Sequence, residues 1–95
     1  DEWTTGLAPM PKAITKASAT VLNNKIYVIG GEDNNGQEVS TVYEYDAAKN
    51  TWRTMKSLPS PRSGAAVARI SSRIYVVGGE NSSGSNTNTL FRGTL

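Results

Sequence analysis

The side chains with chemistry to offer in this 95-residue chain are charged and amide groups set in polar stretches. Lys12 and Arg62 each follow a proline, and Ser63 follows Arg62. Glu32, Asp33 and Asn34 follow one glycine pair, and Glu80 and Asn81 follow another. A planar guanidinium grips a carboxylate through parallel hydrogen bonds, so Arg62 suits recognition of an acidic group. Bond-making chemistry is poorly served. The chain has no Cys and no His, which excludes the usual zinc sites, thiol nucleophiles, disulfides and the Ser-His-Asp arrangement. Glu32 and Asp33 lie among amides but lack the ligand spacing of a calcium loop, so no metal and no cofactor is expected. Gly30-Gly31 is followed by neither Lys-Ser/Thr nor a helix start, which removes a phosphate-loop reading.

Charge and hydropathy narrow the partners. The ten basic residues are scattered between Lys12 and Arg92 and the net charge is +2, so no stripe for nucleic acid forms. No apolar run is long enough to span a bilayer as a helix. Absence of cysteine leaves the compartment open. Asn81-Ser82-Ser83 fits a glycosylation sequon, with meaning only for a secreted eukaryotic protein. The chain opens on Asp1, which reads as a processed product or an excised piece.

The elements that position these groups come from an internal repeat. Ile26-Tyr27-Val28-Ile29-Gly30-Gly31-Glu32 recurs as Ile74-Tyr75-Val76-Val77-Gly78-Gly79-Glu80, an offset of 48 that carries on to Thr41 and Thr89, Val42 and Leu90, and Tyr43 and Phe91. Pro9-Met10-Pro11-Lys12 matches Pro59-Ser60-Pro61-Arg62 at an offset of 50, and Trp3 matches Trp52 at 49. Residues 17–22 and 65–70 read as strands, each closed by a short polar turn, Asn23-Asn24 or Ser71-Ser72. The apolar runs Ile26–Ile29 and Ile74–Val77 read as strands buried on both faces. Thr41–Tyr45 and Thr51–Met55 are further strands around a turn at residues 46–50. Tyr27, Tyr75, Tyr43, Phe91, Trp3 and Trp52 fall at periodic strand positions and read as packing groups.

A glycine pair after an apolar strand, then Tyr-Asp, then Trp six residues on, at a period near 50, resembles the kelch repeat. The first copy carries Gly30, Gly31, Tyr45, Asp46 and Trp52; the second carries Pro61-Arg62, Gly78 and Gly79 but has Gly93-Thr94 where Tyr-Asp would stand. The resemblance implies an all-β fold of four-stranded antiparallel blades around a central channel. With strands A to D counted from the channel outward, the order is D, then A-B-C-D, then A-B-C. Residues 1–8, which include Trp3, are an outer strand D completing a split blade of a neighbouring chain; 9–57 form a full repeat, and 58–95 supply strands A to C of another.

Two blades cannot close a propeller, and the third strand of the second blade offers an open edge. Head-to-tail assembly of copies, with the Trp3 strand docking beside Leu90-Phe91 of the next chain, answers both problems. A trimer of about six blades is favoured, closed as a clasp of the velcro kind. The resemblance also places the B–C and D–A loops on one face. There Lys12, Glu32, Asp33, Asn34, Arg62, Ser63, Glu80 and Asn81 are the candidate ligand contacts, for a protein or peptide.

The function expected is therefore a non-catalytic binding scaffold. One alternative is an enzyme similar to sialic-acid mutarotases, with Arg62, Glu32 and Glu80 as proton-transfer candidates. Galactose-oxidase-like chemistry is excluded by the missing His and Cys. Another alternative is an excised or engineered repeat pair with no ligand of its own.

Overall fold

A computed structural model describes residues 3–94, and all of its regular structure is β. β1 (Ser18–Leu22), β2 (Lys25–Ile29), β3 (Val42–Asp46) and β4 (Thr51–Met55) form an antiparallel sheet in that order. β5 (Ala66–Ile70), β6 (Arg73–Val77) and β7 (Leu90–Thr94) form a second, in the same sense. These are the blade-like sheets that the repeat implies, and the innermost strands β1 and β5 lie side by side. Residues 3–10 form no strand here, and Trp3 is 96% exposed. Ala8 is nonetheless anchored: the Trp52 indole Nε1 donates to its carbonyl (2.7 Å), and its amide donates to Asn50 Oδ1 (3.0 Å).

Local chemistry sets each turn. Asn23 and Asn24 both adopt positive φ (54° and 65°), the requirement of a tight hairpin whose twist matches its strands. Between β3 and β4, Asp46 Oδ1 accepts the amides of Ala48 and Lys49 (3.0 and 3.3 Å), and Asn50 turns the chain back at φ 53°. The long loops after β2 and β6 are built alike. Asp33 Oδ1 accepts the amides of Asn35 and Gln37, while Asn81 Oδ1 accepts those of Ser83 and Ser85.

Strand alternation sorts side chains onto two faces per sheet. In the first sheet the registers Thr20↔Tyr27 and Ile29↔Val42 put Leu22, Tyr27, Ile29 and Val42 on one face, here termed forward. Val21, Ile26 and Val28 lie on the other, the rear face. The core joins the forward face of the first sheet to the rear face of the second: Leu22, Tyr27, Ile29 and Val42 pack with Ile74 and Val76, edged by Met55, Leu58, Val67 and Phe91. The apolar runs are thus covered on one side only, since Tyr27 and Ile29 are buried whereas Ile26 is exposed.

The forward face also carries a buried polar group. Glu44 accepts a hydrogen bond from Tyr27 Oη (2.7 Å) and pairs with Arg53 Nη2 (2.9 Å), reached from the exposed side of β4. Burial, and then this bond to Glu44, push the Tyr27 phenol up to about 12.

Candidate functional loop face

The loops after β2 and β6 and the connections leading into β1 and β5 meet on one side of the molecule. Two chains of bridges define it: Thr15–Glu32–Glu38 in the first repeat and Ser63–Glu80–Asn86 in the second. Backbone hydrogen bonds then stitch the repeats together. Gly31 N donates to Arg62 O (2.7 Å), Arg62 N to Val39 O (3.2 Å) and Gly64 N to Lys16 O (2.9 Å). Glycine is required at the seam, because a Cβ on Gly30, at φ 64°, would overlap the Arg62 carbonyl.

The bridges fix the correspondence between repeats. Thr15 takes the place of Ser63 and Lys16 that of Gly64, an offset of 48, so Ile14 and not Lys12 stands where Arg62 does. Two additional residues separate the Pro-x-Pro segment from β1. Lys12 is consequently displaced to an exposed position, in a shallow concavity with Pro11, Ala13, Asp33, Asn34 and Asn35. Asp33 and Asn81 act through their side-chain oxygens as loop formers.

Arg62 is buried, at 6% exposure. Its Nη1 donates to Ser60 Oγ (2.8 Å) and Pro61 O (2.7 Å), and Nη2 donates to Thr89 Oγ1 (3.0 Å). The guanidinium carbon stands 5.1 Å from the centre of the Phe91 ring. Among the described residues it forms no ion pair, and its Nε has no hydrogen-bond partner. In this arrangement Arg62 ties the entry to β5 onto the start of β7.

Glu32, Ser63 and Glu80 do come together, around a side chain that the repeat spacing did not single out. Lys16 adopts φ 57°, the left-handed conformation that Gly64 holds at φ 64° in the next repeat. Its Nζ lies 3.2 Å from Glu32 Oε2. Glu32, by hydrogen bond and charge, holds the ammonium above its ordinary pKa, and Glu80 and Glu38 add to the effect. Ser63 Oγ donates to Glu38 Oε2 (3.3 Å). Beside these groups lies an open concavity of about 440 Å³ lined by Lys16, Ser63, Gly64, Gly79, Glu80, Asn86 and Thr87. The charged side chains of its lining are Lys16 and Glu80. Continuing the 48-residue offset upstream, in place of the Pro-x-Pro match at 50, would have brought Lys16 to notice. Among the described residues no group of acidic side chains has metal-binding geometry. The surface offers open, charged hydrogen-bonding groups across a junction of two repeats, which fits recognition of an extended polar ligand.

Comparison with known proteins matches residues 2–94 to the model of the KLHDC2/KLHL20/DRC7 Kelch-repeats domain. Alpha-scruin of Limulus polyphemus is 46% identical over 67 residues, covering 70% of this chain and 7% of that protein. Kelch-like protein 13 of Mus musculus is 38% identical over 65 residues, covering 67% of the chain and 10% of its own length. Kelch-like protein 22 of Homo sapiens is 37% identical over 66 residues, covering 68% and 10%. The chain thus spans a tenth or less of the length of these relatives.

Proposed function

Since this chain belongs to the kelch-repeat family, we propose that it is a non-catalytic scaffold that binds a protein or peptide across its loop face. The observation that carries this reading is the seam itself. Backbone bonds through Gly31, Arg62 and Gly64 hold loops of both repeats in one surface, where Lys16 is exposed and Glu32 and Glu80 are half-buried, while Ser63 is buried beneath them. A surface rigid in its backbone and polar in its side chains suits recognition with little ordering penalty. Catalysis by Arg62, as in the mutarotase-like alternative, is disfavoured by its burial against Thr89 and Phe91.

The test is selection from a displayed peptide library, followed by titration of the selected peptides. Glu80→Lys and Lys16→Ala are expected to weaken binding about tenfold or more, while Arg69→Ala, at an exposed position near the end of β5, leaves it unchanged. Selected peptides that bind both loop variants as tightly as the parent would overturn the reading.

The scaffold is also read as assembling head to tail from copies of itself, a trimer of about six blades being favoured. In that reading the Trp3 segment of one chain pairs beside Leu90–Phe91 of the next. Its support is the near-complete exposure of Trp3 together with the free edge of β7.

A further inference from the structure

The exposed apolar side chains of the strands are not scattered. Ile70 (62% exposed), Val77 (46%) and Leu90 (62%) lie on the forward face of the second sheet. Val21 and Ile26 lie on the rear face of the first. These five make up the large exposed hydrophobics of the described strands.

The repeat equivalents of four of them are the core, while Val21 corresponds to the exposed Arg69. Ile70, Val77 and Leu90 correspond, at the offset of 48, to Leu22, Ile29 and Val42, all buried on the forward face of the first sheet. Ile26 corresponds to Ile74, buried on the rear face of the second. The chain therefore makes one forward-to-rear interface and leaves exposed both halves of a second one of the same type.

Backbone groups repeat the pattern. Gly31 N and Val39 O bond to Arg62 of the following repeat. Their counterparts Gly79 N and Thr87 O make no such backbone bond among the described residues. Ile14 stands in the first repeat at the place of Arg62, and its amide and carbonyl make no backbone bond among the described residues.

We propose that the forward face of the second sheet binds the rear face of the first sheet of another copy, reproducing the internal interface between chains. Ile70, Val77 and Leu90 of one copy cover Ile26 and Val28 of the next, and Gly79 N bonds Ile14 O across the junction. The contact is heterologous, so each copy has one donor and one acceptor face. This rests on the assembly reading above and names its main surface: sheet-face packing rather than pairing of the Trp3 segment.

The experiment is complementation by two blocked chains, each a full 95-residue copy. Val77→Arg blocks the forward face and Ile26→Arg the rear face, both at positions already exposed in the single chain. Each change buries an unpaired charge in the contact and is expected to weaken self-association about a hundredfold, leaving monomers by light scattering. Mixed one to one, the two variants still hold one good face each and are expected to form a dimer that grows no further. Circular dichroism confirms folding, and Leu90→Asp with Val28→Lys, at the counterparts of the buried Val42 and Val76, repeats the test at independent positions on the same faces. A folded wild-type monomer at high concentration, variants that associate like wild type, or folded variants whose mixture stays monomeric would each overturn the proposal. Deleting residues 1–8 separates the two ideas: dimerisation of the mixture survives if the faces carry the contact and is lost if the Trp3 segment does.

Discussion

Glu44 is the residue whose burial most needs explanation. A carboxylate in a sheet core loses several kcal/mol of hydration unless partners replace it, and the Tyr27 hydroxyl and the Arg53 guanidinium are those partners. Tyr27→Phe removes one of them while keeping the ring, and is expected to destabilise the fold by about 1–3 kcal/mol, measured by urea denaturation. The pH dependence follows from the raised phenol. With a folded pKa of about 12 against the ordinary 10, the neutral form is favoured by folding. Its contribution is fully present below pH 10 and is lost as pH rises from 10 towards 12. Wild type should lose stability across that window more steeply than Tyr27→Phe. In the second repeat Arg92 stands at the position of Glu44, so this pairing belongs to the first sheet alone.

At the scale of elements, the same residue type carries different burdens at different places. Gly30 and Gly36 both adopt positive φ (64° and 74°), but only Gly30 faces a neighbour that a methyl would strike. Gly36→Ala is expected to cost about 1 kcal/mol, from backbone conformation alone. Gly30→Ala must also displace the Arg62 carbonyl and with it the seam between the sheets. It should therefore lower the melting temperature several degrees further, as read by thermal denaturation. The hairpins at Asn23-Asn24 and Ser71-Ser72 were legible in the sequence: repeated β-branched and small-residue runs between paired polar turns located their strands to within a residue. Glu32, Ser63 and Glu80 could be assigned to one side because the kelch resemblance implies that the B–C and D–A loops share a face. Arg62 and Lys12 were harder. A Pro-Lys and a Pro-Arg look equivalent in one dimension, yet two additional residues before β1 put the lysine out of frame. An arginine that ties its own chain together has the same sequence as one that meets a ligand. Lys16 was hidden by the same frame shift: the Pro-x-Pro match at 50 obscures the offset of 48 that sets Lys16 against Gly64.

For the whole molecule, the decisive quantity is mass in solution. Three copies joined in a ring would give a light-scattering mass near three times the 10.2 kDa chain. Four would give eight sheets in place of six, and the number is set by the angle at which one sheet face sits on the next. A cooperatively folded chain that stays at a single mass unit would remove the ring. The two sheets share one core of modest size, Leu22, Tyr27, Ile29 and Val42 against Ile74 and Val76, so association and folding stability should rise together with concentration.

The unlike outer faces have a genetic consequence. When a site belongs to one chain, an altered copy fails alone and its unaltered neighbours compensate. In a ring joined through a donor and an acceptor face, a copy with one spoiled face still enters by the other, and the ring it joins cannot close. Changes at Val77 or Ile26 should then behave as dominant, poisoning assemblies that are mostly normal, whereas changes at Glu80 on the loops should dilute in proportion to their dose.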